Sequence, residues 1–305
     1  MTATTETPLV QVLELAQAEY RADPRLATHS RVRKTLPPST PAHAKADLDA
    51  EQRQLHGEPA EPDDPEPSEA LDYGRAAHTR VLGIGDPVRV ITGTGTDPNA
   101  WRTKADFAAL AEARAEGVTP IRPRDEIRIE AIAAALRQHP LAAALLDAGR
   151  GRAEQTILWP DEQIPAVQRG AMVDFLPDPV EGRRLIISDY KTAAEAHPSE
   201  WQKSAATYGY HSQAAWLLDG LHAVYPDLGA DDVACMFIVQ SKRKPYPVAV
   251  VELEPEDIRL GRALNTWGIQ MWHRCWETGV WPGYGDDVHL VGLPPWYRDR
   301  WRPIT

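Results

Sequence analysis

The spacing of apolar residues predicts a series of helices along the first half of the chain. In these stretches apolar side chains recur every three or four residues, which is the period of an amphipathic helix. The predicted helices cover residues 8–22, 42–57, 70–83, 104–116 and 126–146. The last stretch should form two helices, because the proline of His139-Pro140 cannot continue the helix that precedes it.

The centre of the chain changes to short runs of β-branched and partly alternating residues, which are typical of strands. The predicted strands cover residues 156–160, 166–177, 183–192, 233–241 and 247–254. The first three should form an antiparallel meander, and one long helix is predicted over 199–226. This order of elements predicts an α/β fold with a mixed central sheet flanked by helices. Residues 1–29 are predicted to form a helical extension ahead of the main domain.

The net charge of the chain is concentrated in one segment. The 305 residues carry 44 acidic and 33 basic side chains, a net charge of −11. Residues 47–72 contain ten carboxylates and one basic side chain, so −9 lies there and −2 remains for the rest. Within this segment, residues 57–70 are rich in proline and acid, which predicts a flexible loop. The acidic total therefore does not exclude nucleic acid as a partner, although phosphate binding depends on lysine and arginine.

Cysteine content and hydropathy exclude several classes of protein. The two cysteines, Cys235 and Cys275, cannot form a disulfide framework, a four-thiolate zinc site or an iron–sulfur cluster. No apolar run approaches the roughly 18–20 residues that span a bilayer, and the N-terminus lacks a signal-peptide pattern. We therefore expect a soluble intracellular protein with no membrane partner.

The strongest chemical motif pairs Asp174 on one predicted strand with Asp189-Tyr190-Lys191 on the next. Side chains alternate between faces along a strand, so Asp189 and Lys191 should share one face and Tyr190 the other. A short turn would bring Asp174 alongside, and two close carboxylates favour a hard divalent ion such as Mg²⁺. The alternative is an ordinary cross-strand ion pair. Apolar residues before Asp189 predict an interior strand, where a charge is costly without a partner.

Asp174 followed by Asp189-x-Lys191 resembles the PD-(D/E)xK nuclease superfamily, with Val173 in place of the usual proline. Further segments resemble one branch of it, the exodeoxyribonuclease VIII (RecE-type) nucleases of phage and prophage. These segments are TPAHAKADL (40–48), YGRAAHTRVLG (73–83), TPIRPRDE (119–126), AEQTILW (153–159), GAMVDFL (170–176), the region 187–218, the region 236–255 and the closing VWPGY (280–284) with LPPW (293–296). The resemblance implies a restriction-endonuclease-like core, with residues 30–305 as an exonuclease-like domain.

The resemblance also implies a metal site. His78 would be a metal ligand, and Asp174 and Asp189 would be catalytic carboxylates that hold the ion. Lys191 would be the catalytic lysine, and the carbonyl of Tyr190 would complete the metal shell. The implied cofactor is Mg²⁺, with Mn²⁺ as a substitute.

Three further residues match positions that help to form the site in the family. Glu154 would be catalytic, and Tyr210 and Gln213 would hold the DNA strand. Each has an alternative: Glu154 as a surface ion-pair partner, and Tyr210 and Gln213 as residues that pack against the sheet. For His78 the alternative is a hydrogen-bonded core histidine.

Basic residues near the motif are candidates for contacts with DNA phosphates, since they would offset the repulsion between acids and backbone. They are Arg150, Arg152, Arg169, Lys242, Arg243 and Lys244. A basic run is otherwise a solvated loop.

The function that the resemblance implies is a 5′→3′ exonuclease that resects double-stranded DNA ends for phage-type recombination in the cytoplasm of a bacterial host. A single-strand annealing protein is the implied partner, and a ring-shaped homo-oligomer is expected. Two alternatives stay open. One is a structure-specific endonuclease of the same superfamily, and the other is a catalytically silent protein that binds DNA ends or acts as a scaffold.

Overall fold

The computed structural model describes residues 10–64 and 68–302, and its centre is a mixed β-sheet. The strands are β1 (Gln11–Leu13), β2 (Ala27–Thr28), β3 (Val88–Val90), β4 (Thr119–Ile121), β5 (Gly151–Pro160), β6 (Gln168–Pro177), β7 (Leu185–Ala193), β8 (Val233–Ser241) and β9 (Val248–Glu252). Over the described ranges, seven of them form the central sheet in the order β1-β5-β6-β7-β8-β9, with β2 beside β6. The remaining two, β3 and β4, form a small parallel sheet of their own.

The direction of the strands confirms the predicted meander and the mixed sheet. Strand β6 pairs antiparallel with both β5 and β7. Strand β8 pairs parallel with β7, and β9 returns antiparallel to β8. Strands β7 and β8 are largely buried on both faces, as expected for central strands covered from two sides.

Helices cover both faces of this sheet. They are α1 (Gln17–Ala22), α2 (His29–Arg33), α3 (Pro41–Leu55), α4 (Glu69–Leu82), α5 (Lys104–Ala115), α6 (Pro123–Arg137), α7 (Pro140–Leu145), α8 (Pro198–Tyr208), α9 (Tyr210–Val224), α10 (Pro255–Thr278) and α11 (Pro295–Trp301). The predicted helices over 42–57, 70–83, 104–116 and 126–146 are confirmed, including the break before Pro140. No helix in the described part of the chain is both long and apolar enough to cross a membrane.

Two apolar cores lie on opposite faces of the sheet. The larger core joins Trp201, Trp216 and Trp272 to Ile187 and other sheet residues. A second core contains Tyr190 with residues of α4 and α6. Positions 187 and 190 of β7, an odd number of residues apart, thus face different cores, so the alternation of β7 is that of a regular strand.

The prediction of a helix over 8–22 is wrong for its first half. Residues Gln11–Leu13 form β1, which pairs antiparallel with β5, and the helix is limited to Gln17–Ala22. Residues 8 and 9 lie outside the described part. Since β2 also pairs with β6, the first 29 residues add two strands to the central sheet and are not purely a helical extension. Pairing with the edge of β5 satisfies backbone groups of residues 11–13, which helical periodicity alone does not reveal.

The single helix predicted over 199–226 is also wrong, because Gly209 divides it into α8 and α9. Gly209 has a φ of +71°, and a Cβ atom there would lie 2.3 Å from Nε of Arg33. Glycine adopts this left-handed conformation without steric cost, so it ends α8 and starts α9 in a new direction. The apolar period continues across the break and therefore hides it.

The acidic segment predicted as a flexible loop contains turns and coil at residues 57–64, as far as it is described. Arg53 of α3 forms ion pairs with Asp64 and with Glu61. Residues 65–67 lie outside the described part, and the flexibility of the segment stays a prediction.

Candidate active site

Three neighbouring strands each place one carboxylate at the same level of the sheet. The pairing of Phe175 with Ser188 puts Asp174 of β6 opposite Asp189 of β7. The register of β5 against β6 likewise puts Glu154 opposite Asp174. All three side chains are largely buried, so their charges interact strongly and require compensation.

Helix α4 supplies the first compensating group, His78. Its Nε2 atom lies 3.0 Å from Oδ2 of Asp174, and its Nδ1 atom lies 3.3 Å from Oε1 of Glu154. Burial alone would lower the pKa of His78, but the charges and hydrogen bonds of Asp174 and Glu154 outweigh it and raise the pKa to about 10. The imidazole is therefore protonated at neutral pH in this arrangement. The Asp174 oxygen also accepts a hydrogen bond of 2.7 Å from the main-chain nitrogen of Tyr190.

Lys191 supplies the second compensating charge. Its Nζ atom lies 2.5 Å from Oδ2 of Asp189, whose other oxygen accepts a hydrogen bond of 2.8 Å from Gln213. Burial raises the pKa of Asp189 to about 6 against the effect of Lys191, and the charge of Asp174 adds to the rise. The pKa of Lys191 is also raised, because the attraction of Asp189 and Asp174 outweighs its burial. The ring of Tyr210 lies 5.4 Å from the ammonium.

The backbone at Glu154 is strained. Its φ of +50° lies in the left-handed region, which few residues other than glycine adopt and which costs about 1–3 kcal/mol. Oε1 of Glu154 and Oδ2 of Asp189 are buried and make no hydrogen bond of good geometry; their charge contacts are those with His78 and Lys191. Strain and unused acceptor capacity at the same place are typical of functional sites rather than of structural ion pairs.

The donor atoms fit a hard divalent ion. Carboxylate and carbonyl oxygens are the ligands that Mg²⁺ and Mn²⁺ prefer, whereas imidazole is a more common ligand of softer transition metals. Over the described ranges, no three His, Cys, Asp or Glu side chains converge as a ready-made metal site. The assignments of His78 and of the Tyr190 carbonyl as ligands stay predictions.

The predicted phosphate contact of Arg169 is wrong. The side chain is buried, with its Nη atoms 3.5 Å from Asp161 and 3.1 Å from Asp219. Its guanidinium lies 4.1 Å from the ring centroid of Trp216 and 4.8 Å from that of Trp159. Arg169 is thus a structural residue: the sequence shows that it is basic but not that it faces two acids and two indole rings.

The other basic candidates divide into two groups. Lys242 lines the cleft above the acids, where its Nζ lies 5.3 Å from the ring of Tyr73 and burial lowers its pKa. The remaining candidates are exposed and do not line that cleft in the described structure: Arg150, Arg152, Arg243 and Lys244. Their contacts with DNA stay predictions.

The cleft, of about 760 Å³, contains residues that sequence reasoning missed. Arg75 lies one turn before His78 on α4, so helical spacing could have placed it beside the site. Tyr208 precedes Gly209 and faces the same cleft. His29 also lines it, with its Nε2 atom 2.8 Å from Oγ of Ser212, and only the tertiary fold brings it there.

A mixed sheet with Asp174 and an acid-x-lysine pair on adjacent antiparallel strands defines the PD-(D/E)xK-like class of fold and site. A family model matches residues 89–293, and the chain belongs to that family, described as a PDDEXK-like domain of unknown function (DUF3799). The matched range includes Glu154, Asp189 and Lys191, whereas His78 precedes it. No curated protein matches the sequence significantly.

Among solved structures, the chain is similar in fold to a crystal structure from Eubacterium rectale described as a "Putative exonuclease". The two share 12% sequence identity, with a TM-score of 0.57 over 94% of this chain and 98% of the other. At this identity the likeness supports the fold alone, and it includes nearly all of both chains.

Proposed function

We propose that the protein is a divalent-metal-dependent deoxyribonuclease. The observation that carries the proposal is the meeting of Asp174, Asp189 and Lys191 on adjacent strands, with Glu154 and His78 beside them. A structural ion-pair cluster would not require strained backbone or buried carboxylates with spare acceptor capacity. Membership of a PDDEXK-like family supports the same chemistry.

The residues take distinct roles. Asp174 and Asp189 would hold Mg²⁺ or Mn²⁺, with Glu154 as a neighbouring donor. His78 would join them only as the neutral imidazole, after its proton has been lost to solvent. The bound ion would activate water and neutralise charge on the phosphate. Because the pKa of Lys191 is raised, its ammonium stays charged at neutral pH. Lys191 therefore orients a nucleophile and stabilises the developing anion, and it does not act as a base. Gln213 holds Asp189 in place through its hydrogen bond.

The substrate we propose is an end of double-stranded DNA, degraded in the 5′→3′ direction. The resemblance of several segments to exodeoxyribonuclease VIII supports this polarity, and the description of the Eubacterium rectale protein supports exonuclease action. Recombination in the cytoplasm of a bacterial host, an annealing partner and a ring-shaped oligomer belong to the same proposal and rest on that resemblance.

The test is cleavage of linear, nicked and covalently closed duplex DNA with Mg²⁺ or Mn²⁺, beside Lys191→Ala and an exposed control, Lys203→Ala. We expect wild type and Lys203→Ala to release nucleotides from the 5′ ends of linear DNA. The cleavage rate of Lys191→Ala should be lower by about 10²–10³-fold. Phosphorothioate linkages at the 5′ or the 3′ ends determine the polarity. Equal activity of all three proteins would refute the site.

The alternatives have their own outcomes in this assay. Cleavage of covalently closed circles would show that the protein acts as an endonuclease and not as a strict exonuclease. Binding of DNA ends without cleavage under any divalent ion would favour the silent end-binding or scaffold protein.

A further inference from the structure

An exposed aromatic ring stands in the cleft of the proposed nuclease site. Tyr208 is 60% exposed, and it lines the same cleft as Asp174 and Lys191. Its ring centroid lies 5.8 Å from that of Tyr210, with 35° between the planes. Tyr210 in turn faces the ammonium of Lys191, so the ring of Tyr210 lies between the exposed ring of Tyr208 and the proposed reaction centre.

The fold holds Tyr208 at this position. It is the last residue of α8, and Gly209 turns the chain there in a conformation that leaves no room for a Cβ atom. Arg33 of α2 donates a hydrogen bond of 2.7 Å to the carbonyl oxygen of Thr207. A tyrosine fixed at a helix end loses little conformational entropy when a ligand stacks on it.

Other residues of the cleft add positive charge. Arg75 of α4 is exposed and lines the cleft. Lys242 follows β8 and is half-buried over Tyr73. The cleft therefore offers cations suited to phosphates and an aromatic face suited to a base.

We infer that Tyr208 forms a nucleobase-binding subsite, which stacks one unpaired base next to the phosphate that is cut, while Arg75 contacts the adjoining backbone. The inference rests on the proposed function and deepens it. An internal base of a duplex hides both faces against its neighbours, so any base other than the terminal one can stack on Tyr208 only where the cleaved strand is locally unpaired. The substrate class is thus a DNA end whose terminal bases have separated.

The experiment compares wild type with Tyr208→Ala, Tyr208→Phe and Phe107→Ala, the last an exposed aromatic of α5 outside the cleft. Substrates are linear duplexes with one abasic residue placed in turn at each of the terminal positions of the cleaved strand. On intact DNA we expect Tyr208→Ala to lose about fivefold to a hundredfold in kcat/KM, chiefly through KM. Tyr208→Phe keeps the ring and should stay within about twofold of wild type, as should Phe107→Ala.

The decisive expectation concerns the abasic substrates. At one position only, removal of the base should lower kcat/KM of wild type to that of Tyr208→Ala. The same removal should leave kcat/KM of Tyr208→Ala unchanged. If kcat/KM of Tyr208→Ala were below that of wild type by the same factor at every abasic position, the inference would be overturned. It would also be overturned if Tyr208→Phe lost as much kcat/KM on intact DNA as Tyr208→Ala. Quenching of 2-aminopurine at that position by the Lys191→Ala protein, and its absence with Lys191→Ala/Tyr208→Ala, gives a readout that needs no turnover.

Failure of the inference is distinguishable from failure of the proposed function. If wild type cuts DNA but Tyr208→Ala equals it on intact substrate, the subsite is wrong and the nuclease assignment stands. If wild type cuts no DNA with either ion, the proposed function itself is wrong.

Discussion

Two buried clusters of charge in this protein, one around Arg169 and one around Asp189, differ in how their charges are matched. Arg169 contacts Asp161 and Asp219, and Arg262 lies 2.8 Å from the second of these acids. Two cations thus face two carboxylates, and indole rings stack on the buried guanidinium. Of the nitrogens of this guanidinium, Nε has no hydrogen-bond partner within the described ranges.

The cluster around Asp189 is not matched in this way. Three carboxylates face the ammonium of Lys191 and the imidazolium of His78, so one negative charge is left over. One acid, Glu154, has a strained backbone, and the pKa of another, Asp189, is raised to about 6 by burial. Balanced buried charge thus supports the fold, whereas surplus buried charge together with a raised carboxyl pKa identifies the cluster around Asp189 as a candidate functional site.

The largest effect on stability is expected at the cluster around Arg169, in which the charges are balanced. Arg169→Met leaves Asp161 and Asp219 buried without their common partner, which should lower the free energy of unfolding by about 3–5 kcal/mol. Urea denaturation measures this loss, and the exposed Arg262→Met is the matched control, with less than about 1 kcal/mol expected. A loss at Arg169 no larger than at Arg262 would remove the distinction between the two clusters.

The cluster around Asp189, which carries surplus negative charge, should not lose stability when one of its charges is removed. Asp189→Asn removes one of the mutually repelling carboxylates, so the free energy of unfolding should stay constant or rise. The rate of DNA cleavage should fall by about 10²–10³-fold, because a charged group at the reacting phosphate is lost. Single-turnover cleavage and urea denaturation of the same preparation check both. Loss of stability with unchanged cleavage would show that the cluster is structural.

The strain at Glu154 allows a smaller test. Glu154→Asn introduces a residue that tolerates a positive φ, so the free energy of unfolding should rise by up to about 1 kcal/mol while cleavage falls. Glu154→Gln is the matched variant, since it removes the charge but keeps the strained conformation. Equal stability of the two variants would argue that the backbone at Glu154 stores no strain.

The smallest effect is expected for an exposed ion pair. Lys203 and Glu200 form such a pair on α8, 2.7 Å apart. Lys203→Ala should change the free energy of unfolding by no more than about 0.5 kcal/mol and leave cleavage unchanged. A larger loss would mean that solvent exposure does not separate the two kinds of ion pair.

Much of the fold could be predicted from the sequence, because β5, β6 and β7 have clear alternation and because Pro140 ends a helix by its own chemistry. Strand β1 could not, since its backbone partner lies about 145 residues away and its side chains fit a helical period equally well. The break at Gly209 escaped because the apolar period continues across it, so the left-handed turn leaves no trace in the hydrophobic pattern.

The site was predictable where residues share a strand pattern, as Asp189 and Lys191 do. It was not predictable where burial decides the role. Arg169 and Lys242 are both basic, yet the guanidinium of one lies over buried indole rings and the other lines the cleft. Tyr208 and His29 enter the cleft through tertiary contacts that no local period encodes.

The central claim is that the cluster of Asp174 and Asp189 holds a divalent ion. The most direct measurement is titration of Mn²⁺ by electron paramagnetic resonance with wild type, Asp174→Asn, Asp189→Asn and the control Lys203→Ala. We predict that wild type and the control bind Mn²⁺ equally, and that each of the two aspartate variants binds at least about tenfold more weakly. Equal binding by all four proteins, or binding by none, would contradict the account.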